Sequence, residues 1–174
     1  LSVATAVPPF RMEQAEVAER ALRLFDRERS EIVRLMPVFK NAGIATRYSS
    51  VPLDWYGKPH GWRERNERYH ETAIGLLTSS AIEALAESGR RPRDIAAVVV
   101  VSTTGIATPS LDAVLMNRLG LPTNIVRLPI FGLGCAGGVI GLSHAATLAR
   151  TLPEGDVLYL AVELCSLTFR RRDM

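Results

Sequence analysis

The sequence predicts an α/β fold with a largely parallel sheet, and three observations predict it. Apolar runs of strand length alternate with stretches of helical periodicity along the whole chain. Two of those runs, 95–101 and 156–162, are continuous rather than alternating, the pattern of strands covered on both faces. The third observation is the stretch Gly132-Leu133-Gly134-Cys135-Ala136-Gly137-Gly138, which joins a strand pattern to a helix pattern through residues that accept a sharp turn.

The elements follow in order. Residues 1–7 read as a strand stopped by Pro8-Pro9. Residues 12–28 carry Ala15, Val17, Ala18, Ala21, Leu22, Leu24 and Phe25 at amphipathic-helix spacing. Ser30 is the N-cap of a second helix with Ile32, Val33, Leu35, Met36 and Phe39 on its apolar side; Pro37 kinks it or ends it early, and Gly43 closes the segment. The stretch 46–62 is irregular, broken by Pro52, Gly57, Pro59 and Gly61. Residues 63–88 form the longest helix, charged at first and apolar from Ala73 to Leu85, with Gly89 as its C-cap. A buried strand at 95–101, a short helix at 109–119 ended by Gly120, and a strand at 125–130 come next. The helix at 136–148 has small or apolar residues on nearly every face, which predicts a helix buried all round. A last buried strand occupies 156–162.

Cys135 is the candidate nucleophile. At the head of a helix a thiolate is favoured by unpaired amides and the macrodipole, and the same amides can hold an oxyanion on an attached acyl group. The other reading of Cys135 is a small buried core residue in a glycine-rich turn. His144 lies about 13 Å further along the helix and is out of reach of the thiol. His60, in a Lys-Pro-His-Gly loop, and His70, in a charged helix turn, read as structural or solvated.

Four stretches resemble the type III polyketide synthases, the chalcone synthase-like branch of the thiolase fold. They are Asn41-Ala42-Gly43-Ile44-Ala45-Thr46-Arg47-Tyr48, Ser102-Thr103-Thr104-Gly105-Ile106-Ala107-Thr108-Pro109, Gly134-Cys135-Ala136-Gly137-Gly138 and Glu163-Leu164-Cys165-Ser166-Leu167-Thr168-Phe169-Arg170. The wording is most similar to bacterial alkylresorcinol- or alkylpyrone-forming members. The resemblance implies a thiolase-like fold with a buried central helix carrying the cysteine, of which residues 1–174 are the N-terminal half. It implies an acyltransferase that loads an acyl-CoA starter on Cys135 and extends it with malonyl-CoA by decarboxylative Claisen condensation. Thr103, Glu163, Cys165 and Thr168 match positions lining the acyl cavity, and Thr108 the position that crosses a homodimer interface. Arg34 matches one CoA-phosphate position, while Pro37 and Asn41 depart from the pattern at two others, where Lys40 could compensate. The histidine and asparagine that complete the family's site would come from a C-terminal half. The resemblance implies no bound cofactor and no metal. For Cys165 a second buried thiol, for Glu163 a hydrogen bond or ion pair, and for Arg34 a solvated helix face are the plain structural alternatives. Two other functions share these features: a 3-oxoacyl-(acyl-carrier-protein) synthase III-like condensing enzyme, and a truncated partner that only dimerises.

Composition narrows the classes further. At 174 residues, 47% hydrophobic and 22% charged, the chain can bury the core of one domain, and a net charge of +3 does not argue for nucleic acid. No apolar run reaches the roughly 18 residues of a membrane span, and no signal peptide pattern occurs. Two cysteines make no disulfide framework, so a reducing cytoplasmic setting is expected. The clusters Arg90-Arg91-Arg93 and Arg170-Arg171-Arg172 read as surface charge. The start at Leu1 and the abrupt end after Phe169 lead to the expectation of a piece of a longer enzyme.

Overall fold

A computed structural model describes residues 1–25 and 29–170. The chain divides into two compact units, Leu1–Ala6 with Tyr69–Leu164, and Val7–Arg68 with Cys165–Met174.

The second of these begins with β1 (Phe10–Glu13), α1 (Gln14–Leu24), α2 (Arg29–Leu35), α3 (Pro37–Asn41) and β2 (Thr46–Ser49). β1 and β2 pair antiparallel, Phe10 opposite Ser49 and Glu13 opposite Thr46. Both strands fall where the sequence predicted helix or irregular chain. The four residues Phe10-Arg11-Met12-Glu13 are good helix formers, and pairing with a distant segment overrides that preference. Pro37 ends α2 and opens α3, because proline lacks the donor that a helix interior needs and suits its first turn. Ser30, expected as the N-cap of the second helix, falls inside α2, which already begins at Arg29; the predicted helical residues Asp26 to Glu28 lie outside the described residues, as do Arg171 and Arg172.

The unit holding Cys135 is built on a three-stranded parallel sheet in the order β4-β3-β5, with β3 (Ile95–Val101), β4 (Val126–Ile130) and β5 (Asp156–Ala161). β3 is central, and from Ala97 to Val101 no residue is more than 3% exposed. Burying each such valine stabilises the fold by about 1.5–3 kcal/mol. α4 (Trp62–Ser88) contributes Tyr69, Ala73, Leu77, Ala81 and Leu85 to this core, one residue per turn along a single face. Its C-terminus closes on Gly89 at φ 66°, with the Arg90 amide donating to the Leu85 carbonyl. α5 (Leu111–Leu119) ends likewise on Gly120 at φ 65°.

Two expectations are corrected here. Residues 1–7 form no strand; they alternate in exposure as a strand does, but no described residue pairs with their backbone. α6 (Gly137–Thr151) is not buried all round: Gly137, Gly141 and Ala145 are buried, whereas Val139 is 76% and Leu142 56% exposed. The buried stripe is made of small residues because the helix lies unusually close to the sheet. A Cβ added at Gly141 would sit 2.4 Å from Val101 Cγ2 and 2.9 Å from Tyr159 Cε2. The last strand is an edge strand, with Leu158 and Leu160 buried and Ala161 exposed.

Candidate active site

The site forms at the carboxyl ends of the three parallel strands, where ligands bind in open α/β sheets. β4 ends at Ile130, and the chain then turns through Gly132 at φ 86° and Gly134 at φ 55°. Both are left-handed conformations that favour glycine. A 3-10 turn over Gly134–Ala136 follows, with the Gly137 amide donating to the Gly134 carbonyl, and α6 begins directly after it. Cys135 lies in that turn, and its residue is exposed rather than buried, which removes the core-thiol reading. α6 has no side-chain N-cap, so its first-turn amides are not taken up by one.

Ser102, Thr103 and Thr104 follow β3 without a break. The Ser102 amide donates to the Ile130 carbonyl at 3.1 Å, and Ser102 Oγ donates to the Val162 carbonyl at 2.7 Å. Glu163 Oε2 accepts the Thr104 amide at 3.0 Å, while Thr104 Oγ1 accepts the Leu164 amide at 2.8 Å. The backbone hydrogen bond expected as the plain alternative for Glu163 is therefore present, and its side chain is still exposed. Thr103 Oγ1 is buried with no hydrogen-bond partner among the described residues. Thr108 is exposed on the loop that leads to α5. Asp112, in the first turn of α5, is fully buried and faces Arg127 Nη1 at 3.3 Å.

Cys165, Thr168 and Arg34 belong to the other compact unit. Cys165 opens a 3-10 turn, Cys165–Thr168, in which Thr168 Oγ1 donates to the Cys165 carbonyl at 2.8 Å. Both residues are exposed, so Cys165 is not a buried core thiol here. β4 and β5, the strands that precede Cys135 and Cys165, are separated in the sheet by β3. Arg34 is exposed in the last turn of α2 and has no hydrogen-bond or ion-pair partner among the described residues. Lys40 is exposed in the last turn of α3.

His60 takes a structural place. His60 stacks on Trp55 with ring centroids 3.8 Å apart, and its two nitrogens meet the Trp55 carbonyl at 2.9 Å and Glu64 Oε1 at 2.7 Å. That last bond holds the Glu64 carboxyl below its ordinary range. His144 is exposed on α6. The Arg90 cluster is ion-paired at the surface, Arg90 with Asp156 and Arg91 with Asp94. Among the described residues no group of three or more His, Cys, Asp and Glu side chains could hold a metal, and no helix is long and apolar enough to cross a membrane.

Sequence reasoning passed over Tyr69, Ser102 and Thr104. The available signals were a tyrosine in phase with the apolar stripe Ala73, Leu77 and Ala81, and a serine ending an unbroken apolar strand.

The chain is similar to known proteins over nearly its whole length. Residues 1–173 match the N-terminal domain of chalcone and stilbene synthases. The chain is 34% identical over 170 residues to 1,3,6,8-tetrahydroxynaphthalene synthase of Streptomyces peucetius, covering 98% of this chain and 45% of that protein. It is 30% identical to phloroglucinol synthase of Pseudomonas fluorescens, over 95% of this chain and 47% of that one. The crystal structure of 1,3,6,8-tetrahydroxynaphthalene synthase from Streptomyces coelicolor, a bacterial type III polyketide synthase, superimposes with a TM-score of 0.91 at 27% identity. That superposition covers 100% of this chain and 51% of the solved one. The chain thus spans about half the length of the proteins it matches.

Proposed function

The chain belongs to the chalcone and stilbene synthase family, and from that premise we propose that it is the N-terminal, thiolase-fold half of a type III polyketide synthase. Cys135 takes an acyl group from a CoA thioester and carries it through decarboxylative condensation with malonyl-CoA, giving an alkylresorcinol, alkylpyrone or related aromatic product. The observation that carries this reading is an exposed thiol on a two-glycine elbow ahead of a helix without a side-chain cap, at the carboxyl edge of a parallel sheet. A nucleophile needs access, and helix-head amides supply donors where charge develops on the attacked carbonyl.

In this reading Thr103, Glu163, Cys165 and Thr168 bound the acyl cavity, and Thr108 reaches across a homodimer interface. Arg34 meets the CoA phosphates; its exposed guanidinium, without a partner among the described residues, suits that task. Residues 1–174 are one incomplete domain, and the outer face of α6, with Val139 and Leu142, is covered by a C-terminal half that also brings the catalytic histidine and asparagine. The enzyme works in the cytoplasm.

The test is acyl loading. The full-length enzyme incubated with an acyl-CoA starter gains one acyl mass, read by intact-protein mass spectrometry, and Cys135→Ala gains none. Persistence of the adduct in Cys135→Ala identifies a different nucleophile and overturns the assignment.

A further inference from the structure

Tyr69 and Ser102 form an arrangement that the proposed chemistry does not use. Tyr69 is 1% exposed, and its phenol oxygen lies 2.7 Å from Ser102 Oγ. Ser102 Oγ spends its one hydrogen on the Val162 carbonyl, so the phenol is the donor to Ser102. Burial pushes the Tyr69 phenol above its ordinary value, which keeps that proton in place. Ser102 thereby engages three elements at one point. Its amide ties it to Ile130 at the end of β4, its hydroxyl to Val162 just past β5, and Tyr69 anchors it to α4.

The residues next to these ties are the ones proposed to act on the acyl group. Thr103 follows Ser102, Glu163 follows Val162, and the two-glycine elbow of Cys135 starts two residues after Ile130. The Tyr69 ring also packs against Gly105 of the loop: a Cβ added there would be 2.1 Å from Tyr69 Cδ1. Beside the ring a cavity of about 190 Å³ is lined by Ser102, Gly105, Ile106 and Asp112. A loop over such a space can settle inward unless something holds it.

We propose that Tyr69 and Ser102 are positioning residues that hold the 103–108 loop and the Glu163 turn in register with the Cys135 elbow, and so set how the bound acyl chain is extended. This rests on the acyltransferase reading. The node touches no reacting atom; it acts through Thr103, Thr104 and Glu163.

The test uses Tyr69→Phe, which keeps the ring under Gly105 and deletes only the donor, with Ser102→Ala and Ser102→Thr in the full-length enzyme. In Tyr69→Phe, loading of Cys135 by the starter keeps its rate and KM. The kcat for condensation falls about threefold to tenfold, the worth of one neutral hydrogen bond, and the product-length distribution broadens. Ser102→Ala loses more, and Ser102→Thr, which retains the hydroxyl, recovers wild-type kcat and products. Unchanged kcat and products in Tyr69→Phe, even with a lowered melting temperature, make the node merely structural and overturn the inference. If wild type itself fails to load, the acyltransferase reading falls, and the node is judged on hydrogen exchange alone. Faster exchange of the Thr104 and Leu164 amides in Tyr69→Phe sustains it, and unchanged exchange refutes it.

Discussion

Substituting Gly141 by alanine adds one methyl group at the closest approach between α6 and the sheet. The new Cβ would lie 2.4 Å from Val101 Cγ2, 2.9 Å from Tyr159 Cε2 and 3.5 Å from the Tyr159 hydroxyl. Carbon pairs rest at about 3.5–4.0 Å, so the first contact is short by roughly 1 Å. Neither neighbour gives way easily. Val101 is 2% exposed in the central strand, paired with Ile130 on one side and Ala161 on the other. Tyr159 is tethered by its hydroxyl to the Gly138 carbonyl at 2.7 Å. Overpacking of this kind costs about 1–3 kcal/mol, and with two contacts short the upper part of that range applies. Against it stands about 1 kcal/mol of improved helix propensity. The net expectation is destabilisation of about 2 kcal/mol, or about 4–8 °C in melting temperature for a chain of this length.

Gly138→Ala supplies the control on the same helix. Its nearest neighbour would be the Tyr159 hydroxyl at 3.9 Å, an ordinary contact, so only the propensity gain remains and the variant is stabilised by up to about 1 kcal/mol. Urea and thermal unfolding followed by circular dichroism give both values. Repeating Gly141→Ala in a Val101→Ala background, which removes the clashing methyl, should reduce its cost. A Gly141→Ala protein as stable as Gly138→Ala, or one equally destabilised in both backgrounds, refutes the close-packing argument.

Two further outcomes follow from the site and the surface. Cys165→Phe is expected to shorten products or exclude long starters while Cys135 still loads a small one, and Cys165→Ser to alter the profile less; product analysis at matched folded fraction checks this, and unchanged profiles in both variants remove Cys165 from the cavity. The Arg91 amide, then its side chain, hold the Asp94 carboxyl below its ordinary range. A lowered folded-state value contributes stability that is present above about pH 4 and is lost as pH falls through the folded value. Wild type should therefore lose stability faster than Asp94→Asn between about pH 5 and pH 2, and parallel unfolding curves would show that the contact contributes nothing.

Local chemistry was the part of the fold most legible in the sequence. The run Ile95–Val101 announced a doubly covered strand, and Gly89, Gly120, Gly132 and Gly134 marked turns that the backbone adopts at positive φ. Pro37 marked the break between α2 and α3. What escaped was decided by partners distant in sequence. β1 and β2 are four residues each and exist because they pair with one another, a fact no window around Phe10 or Thr46 contains. The order β4-β3-β5 is likewise invisible to a reading that follows the chain. The apolar outer face of α6 led to the expectation of a helix buried all round, but periodicity does not say what covers a face, and among the described residues Val139 and Leu142 stay exposed.

The cysteine motif and the helix that follows it are coupled more tightly than their spacing indicates. A Cβ added at Gly137 would lie 2.9 Å from Val101 Cγ1, and Gly141, one turn on, crowds the other methyl of the same residue. Two consecutive turns of α6 are therefore seated on the last residue of the central strand. The next residue, Ser102, ties down the ends of β4 and β5. The head of α6, and with it the thiol of Cys135, takes its position from Val101 and Ser102 rather than from the elbow's own glycines. Gly132 and Gly134 let the chain turn, whereas Gly137 and Gly141 determine where the turn must arrive. On this argument a small increase in bulk under α6 displaces the proposed nucleophile even when the elbow sequence is untouched, and the effect on acyl loading by the full-length enzyme should scale with the clash: larger for Gly141→Ala than for Gly138→Ala.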